Sequence, residues 1–331
     1  MVVIANSLLY DVADPINPRL VCRATDTAIH LIDGNTIAYT TVFAGHVFII
    51  RRNLTTGAES RAAQLRVAPD PYYYGRAGWT WDGALEVYST STKPGANGHS
   101  TVTVHLWSGG ADHVLFTIDA GPGGLESRWS PRSILAFSPD KKYVAISDFG
   151  FAIYGNNIRI FSLTDLRQKF VVAASSSGGT WMANDRFVWA EMGGVLKQWT
   201  PTAGGTVLRS SEWWYGVTAS PDGKWLAGTQ LSQTNWYASR VFIAPLGVGR
   251  TFRTGLASSP GFVTPTVVWY AEEAIDKSPG FSCVEPCVHP TAPDGVIHAL
   301  DVVNQTDRIV HFLTGQTPKF ANGVVACCST D

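Results

Sequence analysis

Charge is scarce in this chain: Asp, Glu, Lys and Arg make up 15% of its 331 residues and the formal net charge is −1. A near-neutral protein has no global field to recruit nucleic acid or an anionic membrane surface. No run of like charges forms a tail. Long apolar runs are missing too; none approaches the ~18 residues that mark a membrane-spanning helix. The segment Met1 to Asn6 has no basic flank and is too briefly apolar for a signal peptide, so the chain reads as cytoplasmic or as a mature exported form. Cysteine is sparse and odd in number, five in all, which leaves at least one thiol unpaired within a monomer. Cys283 and Cys287 are close enough in sequence for a small loop disulfide, whereas Cys327 and Cys328 are adjacent and would point to opposite faces of a strand.

What is present is a repeat. Ala136-Phe137-Ser138-Pro139-Asp140-Lys141-Lys142-Tyr143-Val144-Ala145-Ile146 returns as Thr218-Ala219-Ser220-Pro221-Asp222-Gly223-Lys224-Trp225-Leu226-Ala227. Each copy reads as strand, tight polar turn, strand. Weaker copies run from Ile29 to Tyr39, Trp79 to Tyr88, Trp181 to Trp189, Phe262 to Tyr270 and Phe320 to Cys327. A second hairpin follows each of the first six, as in Val47–Arg52 turning through Thr55-Thr56-Gly57. Four strands per unit is the signature of a propeller blade. The seventh copy lacks an outer hairpin, while Leu8–Val12 and Leu20–Cys22 at the other end form an outer hairpin without an inner one. The expectation is therefore an all-β chain: one seven-bladed β-propeller domain over 1–331. Its ring closes by a blade shared between an outer hairpin in 1–24 and an inner hairpin in 318–331, which removes free sheet edges.

The Ser-Pro-Asp-Gly-Lys-Trp-Leu-Ala segment resembles the inner hairpin of TolB-like propeller repeats and, more distantly, WD-repeat blades. The twelve Trp and 32 Gly likewise resemble exported bacterial propellers and lean towards an extracellular or periplasmic location. The resemblance implies architecture, not activity, because propellers host unrelated functions.

With strands lettered A to D from the axis outward, the A–B and C–D turns are short and polar, whereas the D–A and B–C connections are long. Long irregular loops on a rigid scaffold carry function. These hold aromatics that each bury ~150–250 Å² on contact. The expected binding set is Tyr73, Trp129, Trp213, Trp214 and Trp236, with Arg128 and Glu212 as polar neighbours. Acidic residues such as Asp70, Glu126, Glu272 and Asp276 share that rim, and a suitably spaced pair performs glycoside hydrolysis. Cys283-x3-Cys287-x-His289 matches no common zinc spacing, so neither a metal nor another cofactor is expected. No nucleophile elbow, phosphate-cradling glycine loop or His-pair motif is present. The main expectation is a non-catalytic propeller that binds a protein or glycan through the aromatic face, without nucleic acid or a transmembrane segment. The alternative is a carbohydrate-active hydrolase or lyase with its site in the axial funnel.

Overall fold

A computed structural model describes residues 2–5, 8–23, 30–33, 35–64, 79–81, 85–91, 99–122, 134–148, 156–191, 194–209, 214–231, 239–247, 249–272, 296–312 and 325–327. These residues are strands and turns; among them there is no helix, hence none long and apolar enough to cross a membrane. The first strands are β1 (Val2–Ala5), β2 (Leu8–Asp11), β3 (Arg19–Arg23), β4 (His30–Asp33), β5 (Thr36–Phe43), β6 (His46–Asn53) and β7 (Glu59–Gln64). Next come β8 (Trp79–Trp81), β9 (Glu86–Ser91), β10 (His99–Ser108), β11 (Ala111–Pro122), β12 (Ile134–Phe137), β13 (Tyr143–Asp148), β14 (Asn156–Ser162) and β15 (Gln168–Met182). They are followed by β16 (Arg186–Glu191), β17 (Leu196–Thr200), β18 (Gly204–Arg209), β19 (Trp214–Ala219), β20 (Trp225–Leu231) and β21 (Ser239–Pro245). The last are β22 (Phe252–Phe262), β23 (Val267–Glu272), β24 (Ile297–Asp301), β25 (Thr306–Ile309) and β26 (Val325–Cys327).

Sheet order is β4-β5-β6-β7, β8 to β11 in sequence, β12 to β18 in sequence, β19 to β25 in sequence, and β26-β1-β2-β3. Each of the two seven-stranded sheets is a pair of four-stranded meanders sharing one long strand. Thus β15 pairs with β14 up to Ser175 and with β16 from there on, across a register shift between Ser175 and Gly179. Gly179 is required at this bend: a Cβ there would meet the Phe187 ring at 2.5 Å and the Val188 carbonyl at 2.6 Å.

The repeated turns are local hydrogen-bond units. The Ser138 hydroxyl donates to Asp140 Oδ1 (2.9 Å) and accepts from the Tyr143 amide (3.1 Å); Ser220 does the same with Asp222 (2.7 Å) and the Trp225 amide (2.9 Å). In the copy that lacks Asp-Gly, Thr264 Oγ1 accepts from the Val267 amide at 3.0 Å instead. The outer turns are closed by Asn53, Ser162 and Asp301, whose side-chain oxygens each accept two amides, the Asx and Ser turn geometry. The next residue then ties the outer turn to the inner one: the Leu54, Leu163, Leu246 and Val302 amides donate to the Asn35, Lys142, Lys224 and Thr266 carbonyls, each at 2.8 Å. In these four meanders the first and third turns therefore lie side by side at the same end of the sheet.

The chain divides into two compact units. In the unit of 1–39, 52–58 and 211–331, Tyr10 and Val12 pack with Val263, Trp269, Ile297 and Ala299, so the first sheet buries a face against the β22–β25 meander. In the unit of 40–51 and 59–210, Ala145, Ile158 and Ile160 pack with Phe187, Trp189 and Trp199. Alternate residues of each strand enter these cores, as a period of two requires.

The pairing of the chain ends differs in detail from the expected two-plus-two hairpins. The N-terminal segment supplies three strands, and β1 lies between β26 and β2, pairing Val3 with both Ala326 and Tyr10. Val2-Val3-Ile4 is a β-branched run well suited to a central strand.

Candidate functional site

Of the expected binding set, Tyr73, Arg128, Trp129, Glu212, Trp213 and Trp236 lie outside the described residues, as do Cys283, Cys287 and His289. Trp214 is described and corrects the expectation of an exposed ring. It opens β19, is 2% exposed and packs edge-on against Phe242 with ring centroids 4.9 Å apart. Alternation along the strand turns this member of the Trp213-Trp214-Tyr215 run into the core.

Two successive inner turns bring together a carboxyl pair that the sequence shows only as turn residues. Asp140 follows β12 and Asp185 precedes β16, with the Ser138 hydroxyl beside both and Lys142 ion-paired to Asp140 and 4.0 Å from Asp185. Asn184 and Asp185 both have positive φ, 59° and 53°, in the tight turn that precedes β16. Asp185 is 9% exposed and its Oδ1 has no hydrogen-bond partner. Burial, then the hydrogen bond to Asp140, push the Asp185 carboxyl up to about 6. Burial opposes charge on Asp140 as well, but hydrogen bonds from Asp185, Lys142 and Ser138 outweigh it and hold that carboxyl below the ordinary range. Below about pH 6 the pair would hold one proton between its two carboxyls, an arrangement that separates acid from base in some hydrolases, although direct contact is too close for the two-carboxylate geometry of glycoside hydrolysis.

Asp185 makes stability fall with rising pH. Its folded-state pKa lies above the unfolded value, so its contribution is fully present below pH ~4 and lost as pH rises through about 6. Asp185→Asn keeps a donor towards Asp140 but cannot ionise. The variant is expected to match the parent at pH 4.5 and to exceed it at pH 8 by roughly 1–3 kcal/mol in denaturant unfolding. Parallel pH profiles for the two proteins would refute the shared-proton account.

A second constellation occurs twice. Tyr88 donates to Asp112 (3.0 Å), His105 Nδ1 lies 3.0 Å from the same carboxyl, and the Tyr88 and His105 rings stack at 4.8 Å. Tyr270, Asp307 and His298 repeat this at 2.5, 3.2 and 5.1 Å. Burial, then the bond to Asp307, raise the Tyr270 hydroxyl far above its ordinary value. The same three residue types at the same registers in two meanders belong to the fold, where they pin the second, third and fourth strands together. The β23 copy adds Glu272, 3.5 Å from His298 Nε2, which sets that imidazole between two carboxylates.

The β5–β6 turn is a B–C connection described throughout, and it carries an exposed aromatic, Phe43. Arg61 of β7 lies over the Phe43 ring at 4.9 Å and over Phe48 at 4.7 Å. Arg61 lies within β7, which continues to Gln64. At the opposite end of another sheet, a cavity of about 330 Å³ is lined by Pro15, Ile16, Val267, Ala299, Asp301, Asn304, Thr306 and Arg308. Among the described residues no group of three or more His, Cys, Asp or Glu is placed to hold a metal ion.

No family model matches the sequence, and no curated protein does. Solved structures do align. A prolyl endopeptidase matches at 14% identity and a TM-score of 0.54, covering 92% of this chain and 46% of its own. Porphyromonas gingivalis dipeptidyl peptidase 4 matches at 11% and 0.52, covering 93% and 49%. An oligogalacturonate lyase solved with manganese matches at 12% and 0.52, covering 80% and 78%. The chain thus spans about half the length of the two peptidases and most of the length of the lyase. These likenesses give the class: an all-β protein of β-propeller architecture. The TolB-like resemblance goes no further than that architecture. They also correct the reading of a non-catalytic binding propeller, because the three structures named here are of enzymes.

Proposed function

We propose that the chain is the propeller of a carbohydrate-active enzyme, a hydrolase or lyase, whose site lies in the axial funnel of a seven-bladed ring closed by both chain ends. The observation that carries this is the likeness to the oligogalacturonate lyase over 80% of this chain and 78% of that one, against less than half of either peptidase. The β26–β1 ladder supports closure by the two ends. Tyr73, Trp129, Trp213 and Trp236 are the sugar-stacking residues of this reading, with Arg128 and Glu212 as their polar neighbours. A buried aromatic anchor contributes at least ~2 kcal/mol. Trp129→Ala and Trp213→Ala should therefore each raise KM ~30-fold while leaving the melting transition unchanged.

The test is incubation of the protein with neutral and uronate-containing oligosaccharides, with and without manganese(II). Reducing ends report hydrolysis, and ultraviolet absorbance of an unsaturated product reports elimination. Absence of both products across the panel overturns the proposal.

A further inference from the structure

We infer that Arg61, clasped by Phe43 and Phe48, is a subsite for the carboxylate of an acidic sugar; this rests on the carbohydrate-active reading and names its substrate class. The clasp stands at the second of the three hairpin turns of the β4-β5-β6-β7 meander, the turn at its B–C end, which is the end expected to carry function. Ala44 and Gly45, at φ 50° and 76°, make the tight turn that lifts Phe43 outward. Phe43 is 58% exposed, and the other exposed large hydrophobics among the described residues are all Val or Ile. An aromatic held at a turn tip, with a cation beside it, offers the stacking face that a pyranose ring takes.

Among the described residues nothing neutralises the cation. Among the described residues Arg61 has two ring contacts and no carboxylate partner. Cation–π contacts engage the rings and consume none of the five guanidinium N–H donors as carboxylate bonds. The two rings restrict the long side chain in advance, so binding an anion sacrifices less rotamer freedom than at a free arginine. Beside it, Gln64 Nε2 and His46 Nδ1 lie 3.1 Å apart, and His46 meets the Phe48 ring edge-on at 6.4 Å. Both are exposed and supply polar atoms for sugar hydroxyls. Packing alone would be satisfied by Phe48 against the Arg61 stem; it does not account for a second, largely solvated ring on the other contact.

The test uses the full chain with two probes: an oligogalacturonate and its methyl-esterified, neutral counterpart, with binding followed by calorimetry. The parent should bind the acid ~10-fold more tightly than the ester, with the preference shrinking as salt rises. Arg61→Gln should abolish the preference without changing the melting transition. Arg61→Lys, which keeps charge but not the fork, should retain part of it. Phe43→Ala should weaken both probes severalfold. Equal affinity of the parent for the two probes, no binding of either, or a full acid preference in Arg61→Gln would overturn the subsite. Cleavage of neutral sugars with Arg61→Gln unaffected would overturn it while leaving the enzyme reading intact. Acid-selective binding that Arg61→Gln abolishes, without any cleavage, would sustain the subsite and sink the enzyme.

Discussion

Trp269→Ala is expected to destabilise the protein by about 4 kcal/mol, in the range of a large buried aromatic removed from a core that cannot collapse. Trp269 is fully buried in β23, and its indole Nε1 donates to the Pro15 carbonyl at 2.9 Å. Phe312 stands edge-on to both Trp269 (5.7 Å) and Tyr10 of β2 (5.3 Å). One side chain therefore holds the β2–β3 turn by a hydrogen bond and the facing sheet by ring packing. Trp269→Phe separates the two: it keeps most of the apolar volume and strands the carbonyl, for a cost of about 1–2 kcal/mol. The check is urea unfolding of parent and both variants, with amide exchange followed over residues 8–20. Protection there should fall most in the Ala variant. A Phe variant as damaged as the Ala variant would mean that the hydrogen bond, rather than packing, dominates.

Ser138-Pro139-Asp140 and Ser220-Pro221-Asp222 were legible as turns because every bond that defines them is local, from a hydroxyl to a carboxyl two residues on and to an amide five residues on. The same holds for Asn53 and Asp301 in the outer turns. Spacing between such units then reveals meanders, and the all-β class follows. What local pattern does not carry is partner identity. Asp185 reads as half of an Asn-Asp turn, and nothing nearby in sequence says that its carboxyl meets Asp140 across 45 residues. Four apolar residues, Val2 to Ala5, are too short for a period to be read, and their partners Val325 to Cys327 lie at the far end of the chain.

The site was less legible than the fold, for a related reason. Aromatic clusters advertise contact area but not direction. Within Trp213-Trp214-Tyr215 the sequence offers three rings, and only the strand geometry of β19 turns Trp214 onto Phe242. Conversely, Phe43 and Arg61 look unremarkable in sequence, 18 positions apart with a hairpin between them, until β5, β6 and β7 pair and bring them onto one another. Histidines are illegible in the same way: His105 and His298 carry no recognisable motif, because their partners Tyr88, Asp112, Tyr270 and Asp307 sit on neighbouring strands.

Removal of residues 1–6 is expected to have an effect at least as large, roughly 5 kcal/mol or more, because it takes an interior strand from a sheet rather than an edge. Both ladders of β1 are lost: Val2, Val3 and Ile4 to Cys327, Ala326 and Val325 on one side, and Val2 to Ala5 to Asp11 through Leu8 on the other. The β26 segment then has no strand partner among the described residues, and β2 becomes an open edge next to the buried Leu9 and Tyr10. An exposed apolar edge templates pairing with other chains, so the truncated protein should melt earlier, aggregate on heating and yield its C-terminal residues to carboxypeptidase. Val3→Pro tests the ladder without shortening the chain, since proline cannot donate and is excluded from central strands; Val3→Thr keeps the β-branched shape and should be nearly silent. The seven-bladed closure proposed above requires the truncation and the proline variant to fail together. A truncated chain that stays monomeric, melts with the parent and keeps its C-terminus protected would show that the two chain ends do not hold each other.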